Sequence, residues 1–264
     1  MARPASHLRS RASWPWALAG AGTGLLLALL LFAPARWLAD AVNERSGGRV
    51  VLSQARGTLW NGSAALVLTG GPGSVDAAAL PTRVDWRLAL RWNGVRAEFA
   101  SACCTTAPLR VRASWRWGGA RLVFDDAQSR WPAALLTGLG TPWNTLQLEG
   151  ELRLHTRGLS VESVAGRLAI AGQAELTAQG ISSRLSTLRP MGSYRITLLG
   201  GQVPTLQLDT LEGSLHLSGS GSWAGSRLRF SGVASAAADR ERALSNLLNI
   251  IGRRSGARSI ITIG

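Results

Sequence analysis

Apolar and polar residues alternate along much of this chain. Val84, Trp86, Leu88, Leu90 and Trp92 interleave with Asp85, Arg87, Ala89 and Arg91. Leu109, Val111, Ala113, Trp115 and Trp117 interleave with Arg110, Arg112, Ser114 and Arg116. Leu146, Leu148, Gly150, Leu152 and Leu154 do so with Gln147, Glu149, Glu151 and Arg153. Successive strand residues point to opposite faces, so each run predicts a strand with one apolar and one wet face. That is the pattern of an antiparallel sheet solvated on one side. Asn93-Gly94 and Gly118-Gly119 predict the turns that close the first two runs. Val50 to Leu68 predicts two further strands around Leu59-Trp60-Asn61-Gly62, since Asn-Gly accepts positive φ at both positions. Gly70-Gly71-Pro72-Gly73 then reads as a loop.

The amino-terminal pattern is of another kind. Trp14 to Ala35 holds no charge, and its centre runs Leu25-Leu26-Leu27-Ala28-Leu29-Leu30-Leu31-Phe32. A helix over all of it would be about 33 Å long, against a hydrocarbon core of about 30 Å. Arg3, Arg9 and Arg11 precede it with no acid, which keeps that end in the cytoplasm and exports the remainder of the chain. Trp14, Trp16 and Trp37 fall at its two edges, where indoles favour the headgroup layer. The competing reading is a cleaved signal peptide, because Ala33-Pro34-Ala35 has the small-x-small form of a cleavage site. Against it, the run exceeds the roughly 7–15 residues of a usual h-region, and Pro34 lies within the site. Both readings export residues 40–264. The predicted organisation is a cytoplasmic tail (1–13), a transmembrane anchor (14–35), a juxtamembrane helix and linker (36–48) and a periplasmic β-rich domain (49–264).

Helical signals elsewhere are few. Residues 36–46 form a short amphipathic pattern stopped by Gly47-Gly48, and Pro132 to Leu139 suits one short helix. Asp239 predicts an N-cap ahead of Leu244, Leu247, Leu248 and Ile251, whose spacing makes one apolar stripe. Gly252 should end that helix, with Arg253 and Arg254 against its negative pole. Ile260 to Ile263 reads as a last strand. The heptapeptide L-E-G-x-L-x-L occurs at Leu148 and again at Leu211, each time before a Gly-rich strand (Gly166 to Ile170, Ser226 to Phe230), which predicts a repeated strand unit.

The net charge of +14 comes from arginine alone, as the chain has no lysine. Such a surface meets nucleic acid, anionic lipid or an acidic protein; an exported domain excludes the first. Cys103 and Cys104 are adjacent, unlike the spaced ligands of a zinc or redox motif, and read as part of a turn. His155 and His216 fall on strands without a second ligand at metal spacing. Asp125-Asp126 lacks the further oxygens of a calcium loop. Gly219-Ser220-Gly221-Ser222 has no following Lys-Ser/Thr and reads as a strand turn. No catalytic, cofactor or metal residue is predicted. Tryptophan is the unusual residue, eleven in all. Trp86, Trp92, Trp115 and Trp117, on apolar strand faces, are core residues or an open surface for a partner or lipid.

Several stretches together resemble the type II secretion system protein N (general secretion pathway protein N) family. They are Pro34 to Leu38, Arg56-Gly57-Thr58-Leu59-Trp60-Asn61-Gly62, Leu80-Pro81 with Val84 to Leu88, and Pro142-Trp143-Asn144-Thr145-Leu146. Ser182 to Leu188, Gly192-Ser193-Tyr194-Arg195 and Leu247 to Arg254 complete the set. The resemblance implies a mainly β fold: a single N-terminal transmembrane helix followed by a long curved antiparallel sheet, an AsmA-like trough, with one or two short helices. It implies a non-enzymatic, single-pass accessory in the bacterial inner membrane. Its task would be to help folded proteins cross the outer membrane, with other inner-membrane and periplasmic secretion components as partners. Contacts through an open sheet edge are expected. The alternative function is a periplasmic lipid-handling trough.

Overall fold

The computed structural model describes residues 14–164, 167–225 and 227–264. The basic tail with Arg3, His7, Arg9 and Arg11 lies outside the described residues, as do Gly166 and Ser226 of the two Gly-rich segments.

Helix α1 spans Trp14–Leu31 and α2 spans Ala35–Arg45. The first is shorter than the uncharged run predicts, because Pro34 lacks an N–H and disfavours helix at the residue before it. The carbonyls freed at its end are taken by the sheet: Ala33 accepts from the Leu59 N–H at 2.7 Å, and Leu30 from the Trp60 indole at 2.7 Å. Eighteen residues make about 27 Å. Among the described residues no helix is long and apolar enough to cross a membrane. Every large hydrophobic of α1 is exposed.

Among the described residues fifteen strands form one open antiparallel sheet. The first seven are β1 (Val50–Gly57), β2 (Asn61–Thr69), β3 (Ala77–Arg91), β4 (Gly94–Ser101), β5 (Leu109–Arg116), β6 (Gly119–Phe124) and β7 (Ala127–Pro132). The rest are β8 (Glu149–Val164), β9 (Arg167–Ser182), β10 (Gly192–Gly201), β11 (Thr205–Gly213), β12 (Leu215–Ala224), β13 (Arg227–Ala236), β14 (Arg253–Ser255) and β15 (Arg258–Ile263). Neighbours follow chain order except at two places. β6 and β7 lie end to end along the sixteen-residue β8, and β15 inserts between β13 and β14.

Hairpin tips therefore alternate between two ends of the sheet. At one end are the β1–β2 turn, where α1 joins, and the β3–β4 and β5–β6 tips. The other end carries the helices. A 3-10 helix (Ala133–Leu139), α3 (Trp143–Leu146) and α4 (Glu241–Ile251) pack there. Leu244, Leu247 and Leu248 of α4 are buried against Ile181, Met191, Tyr194, Leu215 and Ala234. A second cluster joins Ala35 of α2 to Ala64 and Trp86 of the sheet.

Local chemistry corrects several expected boundaries. The tight turns are Trp92-Asn93 and Trp117-Gly118, one residue earlier than Asn93-Gly94 and Gly118-Gly119, since Arg91 pairs with Gly94 and Arg116 with Gly119. Gly94 and Gly119 serve instead for close approach: a Cβ there would lie 1.9 Å from the Ala113 and Ser163 carbonyl oxygens, respectively. Leu146 closes the α3 turn, so the alternation from Leu146 becomes strand only at Glu149. Arg240, not Asp239, precedes α4, and no side chain caps it. Gly252 is extended, and Arg253 and Arg254 belong to β14 rather than to the helix end. Gly219 to Ser222 lies inside β12, not in a turn. The two heptapeptides are not equivalent, since the first enters β8 while the second straddles the β11–β12 connection.

Candidate functional site

The period-two strands put their apolar side chains on one face, and α2 closes part of that face. Ala35, Leu38, Ala39 and Val42 fall at i, i+3, i+4 and i+7, so one stripe of α2 faces the sheet. Between them lies a groove of about 470 Å³. Leu38 and Val42 of α2, Leu52 of β1, Trp86 and Leu88 of β3, Phe99 of β4 and Leu154 of β8 all contribute to its wall. In a flat sheet β1 and β8 would stand about 29 Å apart, six strand spacings. Sharing one groove of this size requires the sheet to curl, which makes the apolar face a trough.

The four tryptophans expected as core or as open surface divide between the two here. Trp86 is 1% exposed and belongs to the core beneath α2, where its indole N–H donates to the Leu59 carbonyl at 3.0 Å. It is a wall of the groove, not an open partner surface, because α2 covers this level of β3. Further along the strand nothing among the described residues covers the face. Leu90 is 59% exposed, Trp115 67%, and Trp92 and Trp117 are fully exposed at the tips. The groove thus runs out toward an uncovered aromatic margin.

The junction between α1 and the sheet is a second organised feature. Leu88 N–H donates to the Trp60 carbonyl at 2.7 Å, and Thr58 bridges Pro34. Gly62 packs so closely that a Cβ would meet the Trp86 ring at 2.6 Å. The stretch Arg56 to Gly62 therefore fixes where α1 meets β3.

Elsewhere, both acidic candidates have structural partners. Asp125 pairs with Arg112 at 2.7 Å, and Asp126 accepts from the Gly158 N–H at 2.6 Å. His155 stands opposite Glu175 across β8 and β9, and His216 is exposed on β12. Among the described residues no group of three or more His, Cys, Asp or Glu is placed to hold a metal. Cys103 and Cys104 are disulfide-bonded in a turn whose Cys104 carbonyl accepts from the Arg130 N–H of β7 at 2.8 Å. That loop ties the β4–β5 connection to the open side of β7. Tyr194 donates to the Leu215 carbonyl at 3.1 Å, and burial pushes its phenol well above its ordinary value.

A family model described as type II secretion system (T2SS), protein N, matches residues 48–261. The chain belongs to this family. No curated protein and no solved structure matches it significantly. Membership places it among the components of a protein-secretion system. The residues that carry the likeness hold architecture. Asn144 donates to Asp76 at 2.9 Å, and the Ser183 hydroxyl to the Leu146 carbonyl at 2.5 Å. Sequence reasoning found these stretches without finding their role, because their partners lie tens of residues away.

Proposed function

We propose that this protein is an inner-membrane accessory of the type II secretion machine. Residues 14–32 seat it in the bilayer, and the trough stands on the periplasmic side, where folded proteins await export. The observation that carries this reading is the family match over residues 48–261, joined to an uncharged α1 whose large hydrophobic side chains are exposed. An 18-residue helix is accommodated by local thinning of the bilayer at modest cost.

Of the two outer edges of the sheet formed by the described residues, one suits partner contact by strand addition. β1 is bulged between Ser53 and Arg56 and packed by α2, and β14 is three residues long with two arginines, both devices that blunt an edge. Ile261 to Ile263 of β15 pair with β13 on one side and lack β14 on the other. Affinity recovery of the full chain from membranes of a secreting strain tests the reading. Other secretion components should accompany it, and should be lost when residues 50–264 are deleted; equal recovery from both would remove the domain's role.

The apolar groove favours a second reading, a trough that takes an acyl chain. Mass spectrometry of protein extracted without detergent separates the two. Phospholipid in stoichiometric amount supports the second, while its absence alongside recovered secretion partners supports the first.

A further inference from the structure

The end of the sheet where α1 joins carries exposed tryptophans at two hairpin tips. At the β3–β4 and β5–β6 tips, each two-residue turn begins with a tryptophan, Trp92 and Trp117, both fully exposed. Two strand spacings, about 10 Å, separate the tips. Leu90 and Trp115 lie just behind them on the trough face and are also exposed. On the opposite, wet face of the same tips, Arg91, Arg96, Arg112, Arg116 and Arg121 line a cleft of about 410 Å³. Arg112 pairs with Asp125, and Arg116 reaches Glu162 at 3.9 Å. Among the described residues Arg91, Arg96 and Arg121 make no ion pair, and the buried Arg121 Nε has no hydrogen-bond partner.

Bare indoles at a hairpin tip, backed by unneutralised guanidinium groups, match the layered chemistry of a bilayer surface. Indole favours the headgroup region, and arginine with its apolar stem reaches phosphate from there. A soluble protein partner would meet the same cations, but the position of the rim selects the membrane. It lies at the end of the sheet that receives α1, through Leu59 and Trp60. Register places Trp92 five residues beyond the Asn61–Arg87 pair, about 17 Å further along β3 than the β1–β2 turn. The rim therefore reaches the surface with β3 inclined to the membrane plane.

We propose that the β3–β4 and β5–β6 tips form a docking rim for an anionic phospholipid bilayer. Trp92 and Trp117 lie in the interfacial layer, and Arg91, Arg96 and Arg121 lie on headgroup phosphates. This rests on the reading of α1 as a membrane segment. The rim sets the tilt of the sheet, and it turns the open end of the apolar groove toward the bilayer.

The test uses the full chain in phosphatidylcholine vesicles, with or without phosphatidylglycerol, doped with a shallow nitroxide lipid. The native cysteines are paired, so a fluorophore goes on Asn93→Cys at the rim or on Val75→Cys at the opposite end. Position 93 should be quenched in phosphatidylglycerol vesicles and position 75 should not. Arg91→Gln or Arg96→Gln should each lower the docked-to-free ratio about fivefold, and the Trp92→Ser/Trp117→Ser pair should abolish docking with circular dichroism unchanged. Equal signals at 93 and 75, or quenching at 93 indifferent to phosphatidylglycerol, overturn the rim. Carbonate extraction reports α1 separately: a chain that resists it with position 93 dark keeps the anchor and loses the rim. A chain that is extracted loses the anchor, and the rim then stands or falls by quenching at 93 alone.

Discussion

Replacing Trp86 by alanine should be among the most damaging single changes in the sheet. Its ring is 1% exposed, packed by α2 on one side and Gly62 on the other. Losing a buried tryptophan side chain costs about 4 kcal/mol, and the Leu59 carbonyl loses its donor at about 1 kcal/mol more. A total near 5 kcal/mol lowers the Tm of a domain this size by about 10–20 °C. Thermal unfolding of the detergent-solubilised full chain, followed by far-ultraviolet circular dichroism, measures it. Trp86→Phe, which retains most of the volume and loses the hydrogen bond, should fall between. Trp117→Ala, at a fully exposed tip, should change stability by less than about 0.5 kcal/mol. If Trp86→Ala and Trp117→Ala lowered the Tm equally, the division of the tryptophans between core and rim would be wrong.

Leu247→Ala in α4 should cost about 2–5 kcal/mol in urea unfolding, because its side chain is buried at the centre of the larger core cluster; a loss under about 1 kcal/mol would place α4 outside that core. Gly94→Ala should destabilise the β3–β4 hairpin and lower the Tm, since the added Cβ meets the Ala113 carbonyl; a neutral result would refute the strand spacing there. Tyr194 makes the alkaline limit readable, as the chain has one tyrosine and no lysine, and both cysteines are paired. Burial raises its pKa in the folded state, so its contribution is intact below about pH 10 and is lost as pH rises beyond, by up to about 1.4 kcal/mol per unit. Tyr194→Phe should be less stable at neutral pH but show no such decline, and parallel profiles for the two would refute the buried phenol.

Period-two patterning made the sheet legible, because a strand with one dry face writes its register into every second residue. Coverage is another matter. Val84 to Trp92 keeps one unbroken alternation, yet Trp86 is core and Trp92 is bare, since α2 reaches only the first half of the run. What packs over a strand is a long-range fact, absent from the strand's own pattern. The division of β8 between β6 and β7 was illegible for the same reason: Gly119–Val164 and Pro132–Glu151 are pairings set by the whole chain. Glycines misled in a consistent direction. Gly94, Gly119 and Gly252 read as turn or cap residues, whereas each sits where a neighbouring backbone leaves no room for a Cβ. The stripe of α4 was fully legible, because Leu244, Leu247, Leu248 and Ile251 are spaced for a single buried face. The family likeness was legible in its residues, and its structural meaning, the α1 junction and the closure of the helical end, required the fold.

The proposed role depends on the side of the membrane where the sheet stands. Alkaline phosphatase, which folds only outside the cytoplasm, and a cytosolic fluorescent protein, each fused in turn behind Gly264, measure that directly. Strong phosphatase activity with a dark fluorescent fusion is the result expected here. Fluorescence with an inactive phosphatase would put the trough inside the cell, away from any export substrate, and would contradict the proposed role.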